Sequence, residues 1–327
     1  MEKCEILDRP FVIDETPYCM WELEIEKRNE SFINAINPEY FDFIADSFFD
    51  KFNNSDDKII KTNASIALRM HYSLCLETMF SLIFATVQAP HCLSGWILKY
   101  NQRELLSLIQ KISDGKKIYS GFHIDKYSWQ KIIEIIFAYL NNKEISTFLL
   151  KHFSYILKKL AIEYLDKNFR DEYNSLKHGF RNKSGGFSIT IGFEKIRGET
   201  DSPKDLINIG GSEYGSSFLL EKKLTKSVNF RVIPKSFNWN PENLYSKSKL
   251  VTLIIYNTKT FLLLKNNLKS DGIQYKYFNE KEAYTKPWIK VPTILESSLN
   301  MWTANEFIPK VTEEDVINVY KDNEKIL

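Results

Sequence analysis

Glycine and proline are scarce, at 12 and 10 of 327 residues. That excludes collagen-like and low-complexity architectures. Cysteine is scarcer still. Cys4, Cys19, Cys75 and Cys92 show no paired spacing, so a disulfide scaffold is excluded and a reducing, cytoplasmic compartment is expected. The residues up to Pro10 are charged and carry no apolar signal core. Long hydrophobic runs are missing too. The most apolar one, Leu74 to Ala89, contains Glu77 and Gln88 and falls short of the roughly 20 residues a bilayer requires, so no membrane span is expected. There is no Gly-rich phosphate loop, no Gly-x-Ser-x-Gly elbow and no His-Glu-x-x-His pair. His71 and Cys75 lie one turn apart and His91-Cys92 follows, but this spacing fits no compact zinc motif. Neither a metal nor a cofactor is expected.

What is present is a globular composition. Hydrophobic residues make up 43% of the chain, enough to bury a full core and to exclude whole-chain disorder. The length allows two domains, or one large domain with extensions. The net charge of +2 hides an asymmetry. Residues 1–57 hold 5 Lys/Arg against 15 Asp/Glu, and the remainder holds 39 against 27. A basic body suits a polyanion partner that an acidic segment could screen. Two ordinary solvated surfaces would show the same counts.

Residues 1–36 are mixed, with short strands expected at 11–13 and 20–25. Asn37 and Pro38 then read as the cap and first position of a helix with an apolar stripe at Tyr40/Phe41, Ile44, Phe48 and Phe52. Asp56 or Asp57 caps a much longer helix running to about Gln88. It is apolar on nearly every face, the pattern of a buried central helix, and Pro90 stops it. Shorter helices are expected near 101–112 and 126–141, capped by Asn101 and Asp125. A long helix is expected at about 144–178. Beyond Ser184-Gly185-Gly186 the period changes to two, and an antiparallel sheet is expected over 186–234. Asn240-Pro241 opens a returning helix. The tail carries a strand at 288–291 and a helix from about 312. The six tryptophans read as core or interface residues rather than base-stacking platforms. No internal repeat is found. The fold class is α+β, mostly α: a helical bundle interrupted by a small antiparallel β insertion, with N- and C-terminal extensions. The boundaries are an acidic extension at 1–56, a bundle at 57–183, the insertion at 184–236, the returning helix at 237–268 and a tail at 269–327.

Two polar groupings can carry chemistry. On one continuous helix, Arg170, Asn174, His178 and Arg181 would share a face. They bring together an imidazole suited to proton transfer near neutral pH and two guanidinium groups suited to phosphate or a developing oxyanion. A solvated basic helix end is the plainer reading. On the buried helix, Arg69, Ser73, Glu77, Ser81 and Gln88 draw a polar stripe. A buried carboxylate needs a partner, so Glu77 should meet a cation from the end of the long helix, as a site or as a structural brace.

The run Tyr173-Asn174-x-x-Lys177-His178-Gly179, with the earlier Ala67-Leu68-Arg69-Met70-His71-Tyr72 through Leu76-Glu77 to Ala85, resembles the HEPN superfamily (higher eukaryotes and prokaryotes nucleotide-binding domains). The resemblance covers about 57–183, with the helix at 241–267 as an addition. Active members carry Arg, usually followed by a polar residue, then His after four to six intervening residues. Here His178 matches the His, Asn174 matches the polar residue, and Tyr173 stands where Arg would be. Arg170 is out of that spacing. The resemblance implies metal-independent RNA cleavage by a symmetric homodimer, often in toxin or antiviral defence systems. His178 would move the proton. Arg170, Lys177 or Arg181 would stabilise the phosphate beside Asn174 and Glu77, and Tyr173 and Arg69 would contact substrate. The competing class is a non-catalytic scaffold that docks RNA, a nucleotide or a partner protein. The Tyr at 173 favours that class, and the basic grouping around His178 favours the first.

Overall fold

The computed structural model describes residues 8–21, 25–121, 127–178, 181–191, 207–223, 230–268, 274–289, 298–300 and 312–324. A hairpin comes first: β1 (Asp8–Ile13) pairs antiparallel with β2 (Thr16–Trp21). Asp14 takes φ 53° in the two-residue turn, the left-handed conformation that such tight hairpins favour. Helix α1 (Ile25–Ala35) follows where a strand reaching Ile25 was expected. The next two helices start at their sequence-predicted caps. Asn37 accepts from the Tyr40 N–H to open α2 (Pro38–Asn54), and Asp57 accepts from the N–H groups of Ile59 and Ile60 to open α3 (Lys58–Gln88).

The core is built around α3. Leu68, Tyr72, Leu76, Met79, Phe80 and Phe84 are fully buried. Of the described helices, α3 is the one long and apolar enough to cross a membrane, and 72% of its apolar window is buried inside the fold. It is therefore a core helix. Its burial is not complete all round, since Met70 and Leu74 are 42% and 44% exposed. Tyr40, assigned to the buried stripe of α2, also faces outward.

Beyond α3, a short helix that the sequence pattern did not show, α4 (Leu93–Lys99), precedes α5 (Gln102–Ser113), where Asn101 and Glu104 form a reciprocal capping box. Helix α6 (Trp129–Ile136) is shorter than expected and is capped by Ser128, which accepts from the Lys131 N–H. Asp125 lies outside the described residues. The expected long helix at 144–178 is two helices, α7 (Lys143–Leu165) and α8 (Lys167–Lys177). Asp166 divides them. Its backbone is extended, with ψ 119°, its N–H bonds to the Ile162 and Glu163 carbonyls, and its carboxylate caps the Asn168 N–H. One residue thus closes one helix and opens the next.

Among the described residues the strands form three small sheets. β3 (Asn182–Ser184), β6 (Gly215–Lys223) and β7 (Phe230–Asn238) lie in the order β3-β6-β7, all antiparallel. Beside them, β4 (Ser188–Ile191) pairs with β5 (Ile207–Gly211). Asn240 then caps α9 (Pro241–Lys265), which packs against α2 and α3. From the tail, β8 (Ser298–Asn300) adds a fourth strand beside β7. The strand expected from Trp288 is absent at its start. Lys286–Trp288 is a 3₁₀ turn with Pro287 in its first positions, and Val291 lies outside the described residues. α10 (Glu313–Glu324) is the expected tail helix. The architecture is α+β with the helical part dominant. Three tryptophans, Trp96, Trp129 and Trp239, are buried as expected, whereas Trp21 is exposed and Trp302 is not among the described residues.

Candidate functional site

The break at Asp166 changes what Arg170 can do. Its guanidinium turns back and donates to the carbonyl oxygens of Tyr164 and Leu165, at the C-terminus of α7. Those carbonyls have no partner within their own helix, so the cation satisfies them and meets the negative end of the helix dipole. Positions 170, 174 and 178 keep their register along α8, but His178 is the cap residue that ends it. Arg181 lies beyond the helix, in the turn before β3. The shared four-residue helical face expected from spacing is therefore shortened at one end and committed at the other. What remains exposed is Asn174, Lys177, His178 and Arg181, with Lys183 following on β3. The His178 side chain makes no hydrogen bond or ion pair with a described residue.

Glu77 lies where a buried carboxylate at that position should lie. Its side chain is only 19% exposed, and Lys177 at the end of α8 reaches it at 3.3 Å. The same ammonium stacks on the Tyr173 ring, 4.0 Å from its centroid. Tyr173 is buried, so its ring points into the fold rather than to the exposed rim. Burial and then the adjacent Glu77 carboxylate raise its hydroxyl above the usual tyrosine range. Tyr100 and Tyr164 also lie close enough to sense Glu77, and burial raises both. This nest ties α3 to α8 directly beneath the exposed rim.

Arg69, assigned to substrate, is buried. Its Nε and Nη2 donate to the Glu172 Oε2 at 3.0 and 2.7 Å, and the Ser216 hydroxyl donates to Oε1 at 2.6 Å. The guanidinium carbon lies 4.6 Å from the Phe169 ring centroid and 5.4 Å from that of Trp239. The group joins α3, α8 and β6 from within, as a brace. Glu172 was missed in the sequence. The signal was Arg69 itself, a cation on an apolar helix that needs a carboxylate as much as Glu77 needs a cation. Glu163 was missed as well. Its carboxylate accepts from the Tyr72 hydroxyl at 2.6 Å, the Lys247 ammonium at 2.8 Å and the Trp288 indole at 2.7 Å. These contacts hold its pKa down against the opposing effect of burial.

The His71–Cys75 pair is a core contact. The Cys75 sulfur lies 3.3 Å from the His71 Nε2, and burial pushes the thiol up, out of the range in which a thiolate ligand forms. Among the described residues, no three His, Cys, Asp or Glu side chains group to hold a metal ion. Of the residues singled out in the sequence, those left exposed, Asn174, Lys177, His178 and Arg181, lie at the C-terminal rim of α8. No protein-family model, curated protein or solved structure matches the chain.

Proposed function

We propose that the chain is a HEPN-like module that binds RNA through the exposed rim Asn174–His178–Arg181, without cutting it. One observation carries this reading: two of the three cations that would stabilise a transition-state phosphate beside His178, and the residue in the family's Arg position, are already engaged. Arg170 holds the carbonyls of α7, Lys177 holds Glu77, and Tyr173 is buried in place of the family Arg. Cleavage would need a preorganised cation facing the phosphate, not one committed to the fold. Binding needs only exposed cations and hydrogen-bond donors, and Arg181, Lys183 and Asn174 supply them.

Mobility-shift titration of a mixed single-stranded RNA pool tests the reading. Binding should weaken with salt, and Arg181→Ala should reduce the slope of log affinity against log salt by about 0.7, the share of one phosphate contact on a single strand. RNA that stays unbound at low salt would overturn it. The exposed imidazole of His178 favours a second reading, a metal-independent endoribonuclease of a toxin or antiviral defence system. Incubating the same RNA with the protein and EDTA separates the two. Intact RNA supports the binding module. Fragments that disappear with His178→Ala establish the nuclease, and loss of one phosphate donor, Arg181→Ala, should then slow it on the order of 100-fold.

Both readings include a homodimer through the bundle. Met70 and Leu74, exposed on the central helix, are the apolar residues such an interface would cover. Light scattering at micromolar concentration should give twice the chain mass, and Leu74→Glu should return it to the monomer. A wild-type monomer would remove the dimer.

A further inference from the structure

A second place on the molecule is built to hold a ligand, and it shares no residue with α8. Between the first turn of α2, the middle of α9 and the segment 275–279 lies a cavity of about 560 Å³. That is the size of a small-molecule site. Its irregular wall is fixed from behind. The buried Asn257 amide donates to the Lys276 carbonyl at 2.8 Å and accepts from the Lys276 N–H at 2.9 Å. The buried Tyr284 hydroxyl bonds both the N–H and the carbonyl of Phe278. The Tyr275 hydroxyl donates to the Ile136 carbonyl at 2.7 Å. A five-residue stretch without regular structure is thereby held in one shape, so the cavity needs no ligand to form it.

The groups already paired belong to the fold, and the groups left over describe the ligand. Lys249 is spent on Asp42 at 3.0 Å and Asp46 at 3.1 Å. Among the polar groups that line the cavity and remain, three set the demands on a ligand. The Thr252 hydroxyl is buried, in a residue only 3% exposed, and has no hydrogen-bond partner. The Glu39 carboxylate is exposed and pairs with no described residue. The Lys276 ammonium has no carboxylate among the described residues and rests on the Tyr256 ring, 3.8 Å from its centroid. Tyr256 and Tyr277 also offer aromatic surface. An inorganic anion would use Lys276 and leave the rings and Glu39 idle. A simple amine would use Glu39 but meet two ammonium groups. A ligand that satisfies the set has a flat ring, neighbouring hydroxyl donors and one anionic end.

We propose that this cavity binds a nucleoside monophosphate. The base lies against the tyrosine wall, as bases stack on aromatic side chains in nucleic-acid sites. The ribose hydroxyls donate to Glu39, the role carboxylates take in dinucleotide folds. Lys276 leaves the Tyr256 face and pairs with the phosphate. Thr252 hydrogen-bonds a polar edge of the ligand at the floor. This does not rest on the RNA reading, since a failure at the α8 rim leaves the cavity unchanged.

Isothermal titration of the full chain with AMP, GMP, CMP and UMP tests it, with sodium phosphate, the four nucleosides and putrescine as comparisons. At least one monophosphate should bind saturably, and its nucleoside roughly tenfold more weakly, the loss of one charge-assisted contact. Lys276→Ala should erase that difference. Glu39→Gln should weaken monophosphate and nucleoside alike. Both residues are exposed, so melting curves of the variants should match the parent. Arg181→Ala should leave the titration unchanged. The proposal is overturned if no monophosphate saturates, if sodium phosphate or putrescine binds as tightly, or if both variants bind like the parent.

Discussion

Between pH 6.5 and pH 4, His71 alone should remove about 3 kcal/mol of unfolding free energy. The ring is 5% exposed, and burial lowers its pKa from 6.5 to about 4, opposed only in part by a hydrogen bond with the Phe41 backbone. Its surroundings are the Phe41 ring, 6.1 Å between centroids, and the Cys75 sulfur, with Asp42 nearby through Cys75. The sign follows from proton counting. The unfolded chain protonates His71 near pH 6.5, whereas the folded chain excludes the proton until about pH 4. Across that window the unfolded state binds more protons, so stability rises with pH, by at most about 1.4 kcal/mol per unit. Above 6.5 the term is flat. Partial burial also lowers His91 and His152, so the informative quantity is the difference from His71→Gln. Urea unfolding at half-unit steps should show the parent losing stability faster than the variant between pH 6.5 and 4. Parallel profiles would mean the folded chain takes up the His71 proton as readily as the unfolded chain does. Below about pH 4.5 the depressed carboxyl of Glu163 adds a further loss, because protonating it costs the folded state its three donors.

The helix starts were legible because a cap is a local event. Asn37, Asp57, Asn101 and Asn240 each needed only the next three residues to declare themselves. Strands β4, β6 and β7 were legible for a similar reason, since period-two alternation survives in a short window, whereas β3 and the Gly-ending β5 were not. What was lost depends on more than one segment. Asp166 reads as an ordinary polar residue in a helical run, because one extended residue leaves the apolar stripes of α7 and α8 almost in phase. That one break decides that Arg170 serves α7 rather than a ligand. Helix α4, only seven residues long, gives too few turns for a periodicity to show. β8 is three residues from the tail that pair with β7, a contact no local pattern carries. Of the candidate site, Glu77–Lys177 could be foreseen from the cost of an unpaired buried charge. The same argument applied to Arg69 would have asked for Glu172, which stands beside Tyr173 and looks like part of the solvated helix end. The cavity beside Glu39 was not legible, because its lining comes from three separated segments.

Removing either half of the Arg69–Glu172 pair should cost about 3–5 kcal/mol. Arg69→Met leaves the Glu172 carboxylate, 1% exposed, with Ser216 as its one remaining donor among the described residues. Glu172→Gln leaves a buried guanidinium between two aromatic rings, with the Glu163 carboxylate, already holding three donors, as its counter-charge. In each case the loss is mainly the charge left behind, not the attraction removed. The double variant Arg69→Met/Glu172→Leu therefore should recover much of the loss, with a coupling of about 1–3 kcal/mol measured by urea unfolding of the four proteins. Ser216→Ala, which keeps both charges, should cost only about 1–3 kcal/mol. The same cycle decides what Arg69 is for. A brace loses stability while the folded fraction binds RNA as the parent does. If Arg69→Met melts like the parent and RNA affinity falls, the guanidinium is a ligand contact and the brace assignment fails.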